Sequence, residues 1–533
     1  MNTLSFPSFL SVLSSSGAVS ACLSAWQEGK FPLEIEGPEG AFQGILLSAL
    51  CRGPEARRRP AGGEGGPFIA VVSTESEAAE LALDLRSSGL PAEIFPWWGV
   101  MPYREMAPAS GVFGERAKVL SALAAEGPGP SAASPPLLFI VPERAFLTPL
   151  PPPDYLRSLL IPLAPGDRVD TAALAETLVS YGYTRVSRVQ LQGEFALRGE
   201  VLDILMGGDD MACRLLLDYD RVESLRLFDP VDQSSGGAKA GKPERILIRP
   251  LREVVWTDER IEALGDNLAG LEEFSGGGRE ILEELMERRA VPGEELLYPL
   301  AFSPGTSAVL PDYLGSGGTV FFIDRERLEK AQEAREREYE NLYRRARRET
   351  GGRVPDPSRI LLNFSELAGR IKRRVSFVSI KGAGEEGALR VEIPCDPPRS
   401  FFGNINYLKE EFAALLRDGW KISVAAESDI QAERIAGLLG DTASPGLRVE
   451  ASPFSAGFAL PDIRFMLVQE NEIFGRRKRV PPSVRAARSA AIDSFIELNP
   501  GDFVVHLNYG IGLFKGIERI RALGYERDYI KLE

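Results

Sequence analysis

Two glycine-rich stretches have the spacing of a loop that could hold a nucleotide phosphate. The first, residues 36–44, leads into a predicted helix. A working phosphate loop needs glycines for the backbone cradle, then a lysine for the β and γ phosphates and a serine or threonine for magnesium. Gly37 and Gly40 satisfy the first need, but Gln43 and Gly44 occupy the last two places. Because glutamine has no positive charge and glycine no hydroxyl, we interpret the loop as degenerate and expect no cofactor.

The second stretch, residues 236–242, fits the GxxxxGK pattern more closely. Pro243 stands where a serine or threonine would bind magnesium, and the apolar run Ile246–Ile248 predicts a strand where a helix would have to begin. We therefore interpret this match as chance in a glycine-rich loop.

Histidine and cysteine, the usual residues of hydrolytic and metal sites, are scarce. His506 is the only histidine, and its alternating strand pattern indicates a packed structural residue. The four cysteines are far apart and form no CxxC pair, which argues against a zinc site or a disulfide framework and fits a reducing compartment: Cys22, Cys51, Cys213 and Cys395. The sequence thus predicts no catalytic residue and no metal site.

Charge and hydropathy limit the possible partners. The net charge of −14 opposes extensive binding to a phosphate backbone. Four basic runs could make local contacts, although loop, helix-end and linker roles are the favoured explanations: Arg57–Arg59, Arg344–Arg348, Lys372–Arg374 and Arg476–Arg479. No segment has the apolar length of a membrane span, so we expect a cytoplasmic monomer with no membrane partner.

The first two predicted domains differ in pattern. Residues 1–153 alternate between helical segments and apolar runs such as Phe68–Val72, which predicts a parallel α/β sheet covered on both faces. Residues 154–235 place consecutive strands after a helix at Thr171–Tyr181, which is typical of an inserted antiparallel α+β domain. Its strands are predicted at Arg185–Leu191, Glu194–Arg198, Val201–Leu205, Ala212–Asp218 and Val222–Phe228.

The rest of the chain predicts further units. Residues 236–398 complete the first α/β domain and include a charged helix, Arg325–Thr350, whose i,i+4 pairs of opposite sign predict an exposed position. Residues 399–475 predict a second, small α/β domain, and residues 476–498 a basic linker. Residues 499–533 predict the start of a Tudor- or SH3-like β-barrel. Because they are too few to close a barrel, the natural chain is expected to continue.

Several segments of the first two domains match a known pattern. They are Phe95–Trp98, Met101–Glu105, Glu115–Arg116 and Val141–Ala145 in the first domain, and Gly182–Val186, Gly193–Ile204 and Glu223–Pro230 in the second. These segments resemble UvrB and the bacterial transcription-repair coupling factors, the Mfd family. The resemblance in the second domain is to the UvrA-binding domain that the two families share.

Pro500–Glu518 distinguishes the two families. It is similar to the CarD-like, Tudor-type module with which Mfd binds the β subunit of RNA polymerase, and UvrB has no such module. Ser455–Asp462 and Glu470–Gly475 also look like Mfd. The resemblance implies a non-catalytic N-terminal half, with ATP and magnesium needed only by a translocase motor beyond Glu533, through which DNA is mainly bound.

The same resemblance implies a surface for UvrA in the second domain. We expect Arg185, Phe195 and Arg198 to form it, since strand-borne arginine and aromatic side chains are typical of interface hot spots. The alternative is that Phe195 belongs to the core and that the arginines are merely solvated.

A second surface is implied for the polymerase β subunit. By their position in the family pattern, Arg519, Ile520 and Arg521 are expected on a strand edge that pairs with the β subunit. The alternative is an ordinary strand end.

Two other classes of function stay open. An ATP-dependent helicase or damage-recognition enzyme of the UvrB type would bind nucleotide, against which Gln43 and Gly44 argue. An unrelated Rossmann-type enzyme that has lost its motif is opposed by the barrel segment.

Overall fold

The computed structural model describes residues 13, 15–52, 67–103, 108–125, 138–231, 233, 242–271, 274, 278–303, 305–350, 354–379, 385, 387–397, 399–440, 444–475, 503–506, 510–522 and 525–533. In these residues the chain forms five sheets, whose strands are numbered in chain order. Within the same residues, no helix combines the length and the apolar character that crossing a lipid bilayer requires.

A seven-stranded parallel sheet forms the first unit. Its strands are β1 (Leu33–Glu36), β2 (Phe68–Val72), β3 (Glu93–Ile94), β4 (Leu138–Pro142), β12 (Thr319–Phe322), β13 (Arg374–Val378) and β14 (Leu389–Glu392). Their order is β14-β1-β13-β12-β2-β4-β3, and every neighbouring pair is parallel. The chain therefore leaves this sheet after β4 and returns to it at β12.

The five inner strands of this sheet are buried on both faces, as the apolar runs predict, whereas the edge strands β3 and β14 are partly exposed. In β2, Ile69 and Val71 belong to one hydrophobic core, whereas Phe68, Ala70 and Val72 belong to the other. The helices of this part of the chain are Gly17–Gln27, Ala41–Arg52, Glu75–Ser87, Ser110–Ala124, Glu143–Phe146, Pro153–Leu159, Asp258–Ala269, Gly278–Arg288, Arg325–Thr350, Pro357–Ile360 and Phe364–Arg370, with 3-10 turns at Glu294–Leu296, Tyr298–Ala301, Leu310–Tyr313 and Gly315–Gly317.

The charged helix has the predicted bounds, Arg325–Thr350, but its predicted exposure is wrong for one face. Leu328 on that face is fully buried. Arg335 is 3% exposed and pairs with the fully buried Glu143 carboxylate. The sequence pattern misses this buried face because one of its residues, Arg335, is charged. The opposite face carries the predicted ion pairs, Glu333 with Arg337 and Glu340 with Arg344.

The second unit contains a five-stranded sheet and a two-stranded ribbon. The ribbon pairs β5 (Ile161–Leu163) with β11 (Ile246–Ile248). The helix Thr171–Ser180 packs against one face of the larger sheet. In order from one edge to the other, that sheet contains β6 (Thr184–Arg185), β7 (Glu194–Arg198), β8 (Val201–Leu205), β9 (Ala212–Asp218) and β10 (Arg221–Phe228). The four longer strands are antiparallel, as predicted.

The predicted strand Arg185–Leu191 is wrong beyond its first residue. Only Thr184 and Arg185 pair with β7, and they do so in parallel. Further on, the backbone N–H groups of Gln190 and Leu191 donate to the Glu194 carboxylate at 2.8 and 2.9 Å. These bonds stabilise a turn, so the chain does not continue the ladder.

A third unit contains a four-stranded sheet that shares a core with the first unit. Phe458 and Leu467 pack in the hydrophobic core of the large sheet, although the sequence predicts a separate small domain. The strands are β15 (Lys421–Ala426), β16 (Leu447–Ala451), β17 (Phe458–Leu460) and β18 (Phe465–Gln469), in the order β16-β15-β18-β17, and the helices are Ile405–Arg417, Asp429–Leu438 and Glu470–Phe474, with a 3-10 turn at Pro461–Ile463.

The last described residues form a three-stranded antiparallel sheet. It consists of β19 (Phe503–His506), β20 (Gly510–Ala522) and β21 (Tyr525–Leu532), with β20 in the centre. His506 lies in β19, as its alternating pattern predicts. That these strands begin a closed barrel stays a prediction.

Candidate phosphate loop and partner-binding surfaces

The predicted phosphate loop lies between β1 and the helix Ala41–Arg52, where such a loop belongs in an α/β sheet. Gly37 and Gly40 have φ angles of +105° and +56°, which glycine adopts without strain. A Cβ on Gly37 would overlap the carbonyl oxygen of Ile393, and one on Gly40 would overlap that of Gly457. The chain's own backbone therefore occupies the space against the loop.

Carboxylates lie around this loop. Burial, with the nearby Asp324 and Asp396 carboxylates, raises the pKa of Glu39. The Gln43 side chain donates to the Pro38 carbonyl oxygen at 3.1 Å and to Asp324 Oδ1 at 3.5 Å. The carboxylates would repel a phosphate group at this loop, and the Gln43 amide already donates its hydrogen bonds to other groups.

Restoring the missing side chains should not restore nucleotide binding. A serine at position 44 would place its Cβ 2.6 Å from the Cβ of Asp84, so Gly44→Ser should lower the free energy of unfolding by about 1 to 3 kcal/mol. We expect neither the natural chain nor the Gln43→Lys/Gly44→Ser variant to bind magnesium-ATP in isothermal titration. The single Gln43→Lys variant controls for charge alone. Micromolar affinity of the natural chain for ATP would contradict the prediction.

A hydrogen-bonded contact joins the third unit to the helix Glu75–Ser87. Asp84 is 3% exposed and accepts from the backbone N–H and the Oγ of Ser455 at 2.7 and 2.6 Å. Ser87 Oγ donates to the Pro453 carbonyl oxygen at 2.6 Å. The segment Ser455–Asp462 thus docks one unit on the other, a role that the sequence analysis missed. The available signal was an aspartate on an otherwise apolar helix stripe, since a buried charge needs partners.

The sheet of the second unit has one covered face and one more open face. Alternate residues of β7 face opposite sides, so Phe195 points into the core under the helix Thr171–Ser180, and Arg198 lies on the open side. Phe195 is fully buried. Its predicted role as a contact for UvrA is therefore corrected: it is a core residue, because the helix-facing side of the strand needs an apolar side chain at that position.

Arg185 and Arg198 are both exposed, but they do not share a face. Arg185 pairs in register with Phe195, so it lies on the helix side at the edge of the sheet. The structure thus places Arg185 beside Phe195 on the helix side of the sheet and Arg198 on the open side. Contact of either arginine with a partner stays a prediction.

A buried carboxylate organises the open face. Asp203 is 1% exposed; it accepts from Arg198 Nη2 at 3.0 Å and from Arg214 Nε and Nη2 at 2.7 and 2.8 Å. This hydrogen bonding raises the pKa of Arg214, whose guanidinium carbon lies 4.6 Å from the centre of the Phe228 ring. One carboxylate thereby fixes two guanidinium groups, and the Arg198 side chain stays 53% exposed. The sequence analysis missed Asp203 and Arg214, although an aspartate inside an apolar strand was a signal.

The predicted polymerase contacts, Arg519, Ile520 and Arg521, lie in β20 and pair with residues 526–528 of β21. On the other side of β20, β19 pairs only with residues 510–513. Among the described residues, the edge of β20 beside the three predicted contacts therefore has no strand partner. Such an edge is open to the addition of a strand from another protein.

The remaining motifs of the sequence fall in different places. Arg344–Arg348 lies at the end of the charged helix, as predicted, and Lys372–Arg374 follows the helix Phe364–Arg370. Three others lie outside the described residues: Arg57–Arg59, Gly236–Gly241 and Arg476–Arg479.

Two domain families match parts of the chain. The UvrB interaction domain matches residues 161–253, which include the ribbon and the five-stranded sheet of the second unit. The CarD-like/TRCF RID domain matches residues 498–533, which include β19 to β21. The predicted contact residues for the two partners fall inside these two matches.

Relatives named transcription-repair-coupling factor match most of the chain. One from Borreliella burgdorferi is 28% identical over 501 residues, which are 94% of this chain and 41% of that protein. Others from Staphylococcus epidermidis and Staphylococcus aureus are 25% and 24% identical, each over 87% of this chain and 41% of the relative. The chain thus spans about two fifths of the length of these relatives. Over most of its length the chain is therefore similar to the N-terminal part of the transcription-repair-coupling factors.

Proposed function

We propose that this chain is the non-catalytic adapter part of a transcription-repair-coupling factor, which links stalled RNA polymerase to nucleotide excision repair. It would bind the polymerase β subunit and recruit UvrA. The observation that carries the proposal is the presence in one chain of a UvrB interaction domain and a CarD-like/TRCF RID domain. The two matched domains contain separate sheets, so UvrA and the polymerase β subunit would each bind a different sheet of the chain. A UvrB-type helicase is not favoured, since that role does not explain the second match.

The work that needs energy would belong to the rest of the protein. We infer that ATP and magnesium serve a translocase motor outside this chain, which also makes most of the contacts with DNA. The phosphate loop supports this division, because the Ile393 and Gly457 carbonyl groups crowd its glycines and Gln43 brings no charge. This part would act as a monomer without a cofactor.

The proposal is tested by asking whether the chain bridges its two partners. Polymerase β subunit is fixed to a resin, and purified UvrA from the same organism is added with or without the chain. We expect UvrA on the resin only when the chain is present. Direct capture of UvrA by the β subunit, or no capture with the chain added, would contradict an adapter function.

Replacing Ile520 by arginine should weaken binding of the polymerase β subunit at least about tenfold, because a charged side chain on a strand edge opposes the addition of another strand. Surface-plasmon measurements on the natural chain and the variant would give the ratio. Val179→Arg is the control, since it adds the same charge at a site that is 57% exposed in the second unit. Both variants should melt at the temperature of the natural chain. Unchanged affinity of Ile520→Arg would place the binding edge elsewhere.

A further inference from the structure

A cavity of about 270 Å³ lies where β12 and β13 begin. This is the N-terminal end of the parallel strands, and the phosphate loop lies at their C-terminal end. Leu314, Leu367 and Ile371 are among its apolar lining residues. Arg370, Lys372 and Arg373 contribute positive charge, and we call this site the basic cavity. Pockets for small organic ligands range from roughly 300 to 1,000 Å³. The basic cavity therefore suits a small group better than a large cofactor.

Among the residues that the structure describes, no carboxylate forms an ion pair with a cation of the basic cavity. Arg370 and Lys372 are exposed, and neither forms an ion pair with a residue that the structure describes. Arg373 is half-buried; its Nε donates to Thr319 Oγ1 at 3.3 Å, and its guanidinium carbon lies 4.6 Å from the centre of the Phe31 ring. The adjacent Arg374 differs from all three, because the Glu385 carboxylate neutralises it.

Of the described residues that line the basic cavity, one is acidic, and its carboxylate already accepts a hydrogen bond. Asp312 Oδ2 accepts from the backbone N–H of Val309 at 2.8 Å and so caps its own 3-10 turn. Among the described lining residues, three cations and one carboxylate give the site a net charge of +2. In a chain with a net charge of −14, such a local excess marks a place for an anion.

We propose that the basic cavity binds a phosphate group, held by Arg370 and Lys372 at its mouth and by Arg373 beside them. A guanidinium fork and an ammonium group are the side chains that proteins use for phosphate, the first through paired hydrogen bonds and the second as a point charge. None of the described lining residues is aromatic, so these residues recognise the phosphate group and not a stacked base. The phosphate comes from a free phosphorylated molecule or from a nucleic-acid strand, and the site does not depend on the proposed adapter function.

The test measures binding of pyrophosphate to the whole chain by isothermal titration. The Arg370→Glu/Lys372→Glu variant should bind pyrophosphate at least about tenfold more weakly than the natural chain, because both cations are replaced by carboxylates. The matched control is Lys421→Glu/Arg448→Glu, which makes the same change in net charge at two exposed positions on β15 and β16. The control should bind like the natural chain, and thermal melts should show that all three proteins are folded.

A competition experiment identifies the source of the phosphate. A single-stranded oligonucleotide with a 5′-phosphate, and the same strand with a 5′-hydroxyl, are each added to the chain loaded with pyrophosphate. Displacement by both strands indicates the nucleic-acid backbone, displacement by the phosphorylated strand alone indicates a strand end, and displacement by neither indicates a free phosphorylated molecule. Failure of the natural chain to bind pyrophosphate, or equal losses in the variant and its control, would overturn the proposal.

Discussion

Reversing the charge of Arg198 should weaken binding of UvrA about a hundredfold, which corresponds to about 2.7 kcal/mol. The Asp203 carboxylate holds the Arg198 guanidinium at 3.0 Å, while about half of the side chain faces solvent on the open side of the sheet. A positioned guanidinium loses little conformational freedom on binding an acidic partner. A glutamate there would instead place a second carboxylate beside Asp203 and repel the same partner.

Arg185 provides the second half of this experiment, since it lies on the opposite side of the sheet. If UvrA covers only the open face, Arg185→Glu should leave the affinity for UvrA within about threefold of the natural value. If UvrA also contacts the edge of the sheet, Arg185→Glu and Arg198→Glu should each lower the affinity. The double variant should then lose more affinity than either single variant. Arg245→Glu, at an exposed position within the same matched domain, is the control for charge. Pull-down with UvrA that is undiminished for the double variant would remove both arginines from the interface.

Phe195 separates a defect in folding from a defect in binding. Because Phe195 is fully buried, Phe195→Ala should cost about 3 to 5 kcal/mol of stability. Any loss of UvrA binding by that variant should follow its loss of structure. Arg198→Glu should weaken binding while the chain stays folded.

The covered parallel sheet and most of the strands of the second unit follow from local patterns. The apolar run Phe68–Val72 becomes β2 and supplies both cores, and Glu194–Arg198 and Val201–Leu205 become strands with the predicted bounds. These segments are predictable because the spacing of apolar residues within each one is enough to indicate a strand and the faces that it buries. The turn after Arg185 is less visible, because the carboxylate that stabilises it, Glu194, lies in the next strand.

Contacts between distant parts of the chain account for what the sequence analysis missed. Arg185 looks equivalent to Arg198 until the register places it opposite Phe195. Residue types alone are enough to question the phosphate loop, since Gln43 and Gly44 lack the needed chemistry. The crowding of that loop by the Gly457 carbonyl group depends on how the third unit packs, which no local pattern encodes.

Separating the buried ion pair of Arg116 and Glu253 should destabilise the first unit by about 3 to 5 kcal/mol, because removal of one partner leaves the other charge buried. The two side chains are 0% and 1% exposed. The Arg116 guanidinium carbon lies 4.2 and 4.0 Å from the ring centres of Phe95 and Trp98. Burial raises the pKa of Glu253, and the Arg116 charge opposes that rise. The segment around Phe95 and Trp98 that resembles coupling factors thus encloses a structural pair.

Urea unfolding of Glu253→Ala, followed by tryptophan fluorescence because Trp98 borders the pair, measures the effect. The matched variant Arg116→Met/Glu253→Leu removes both charges and keeps most of the volume. It should recover most of the lost stability, since apolar replacement of a whole buried pair is often neutral. If Glu253→Ala unfolds at the same urea concentration as the natural chain, the Arg116 guanidinium must be hydrated in the variant. Recovery by the double variant would instead show that the cost arises from an unpaired buried charge, and that the pair itself contributes little net stability.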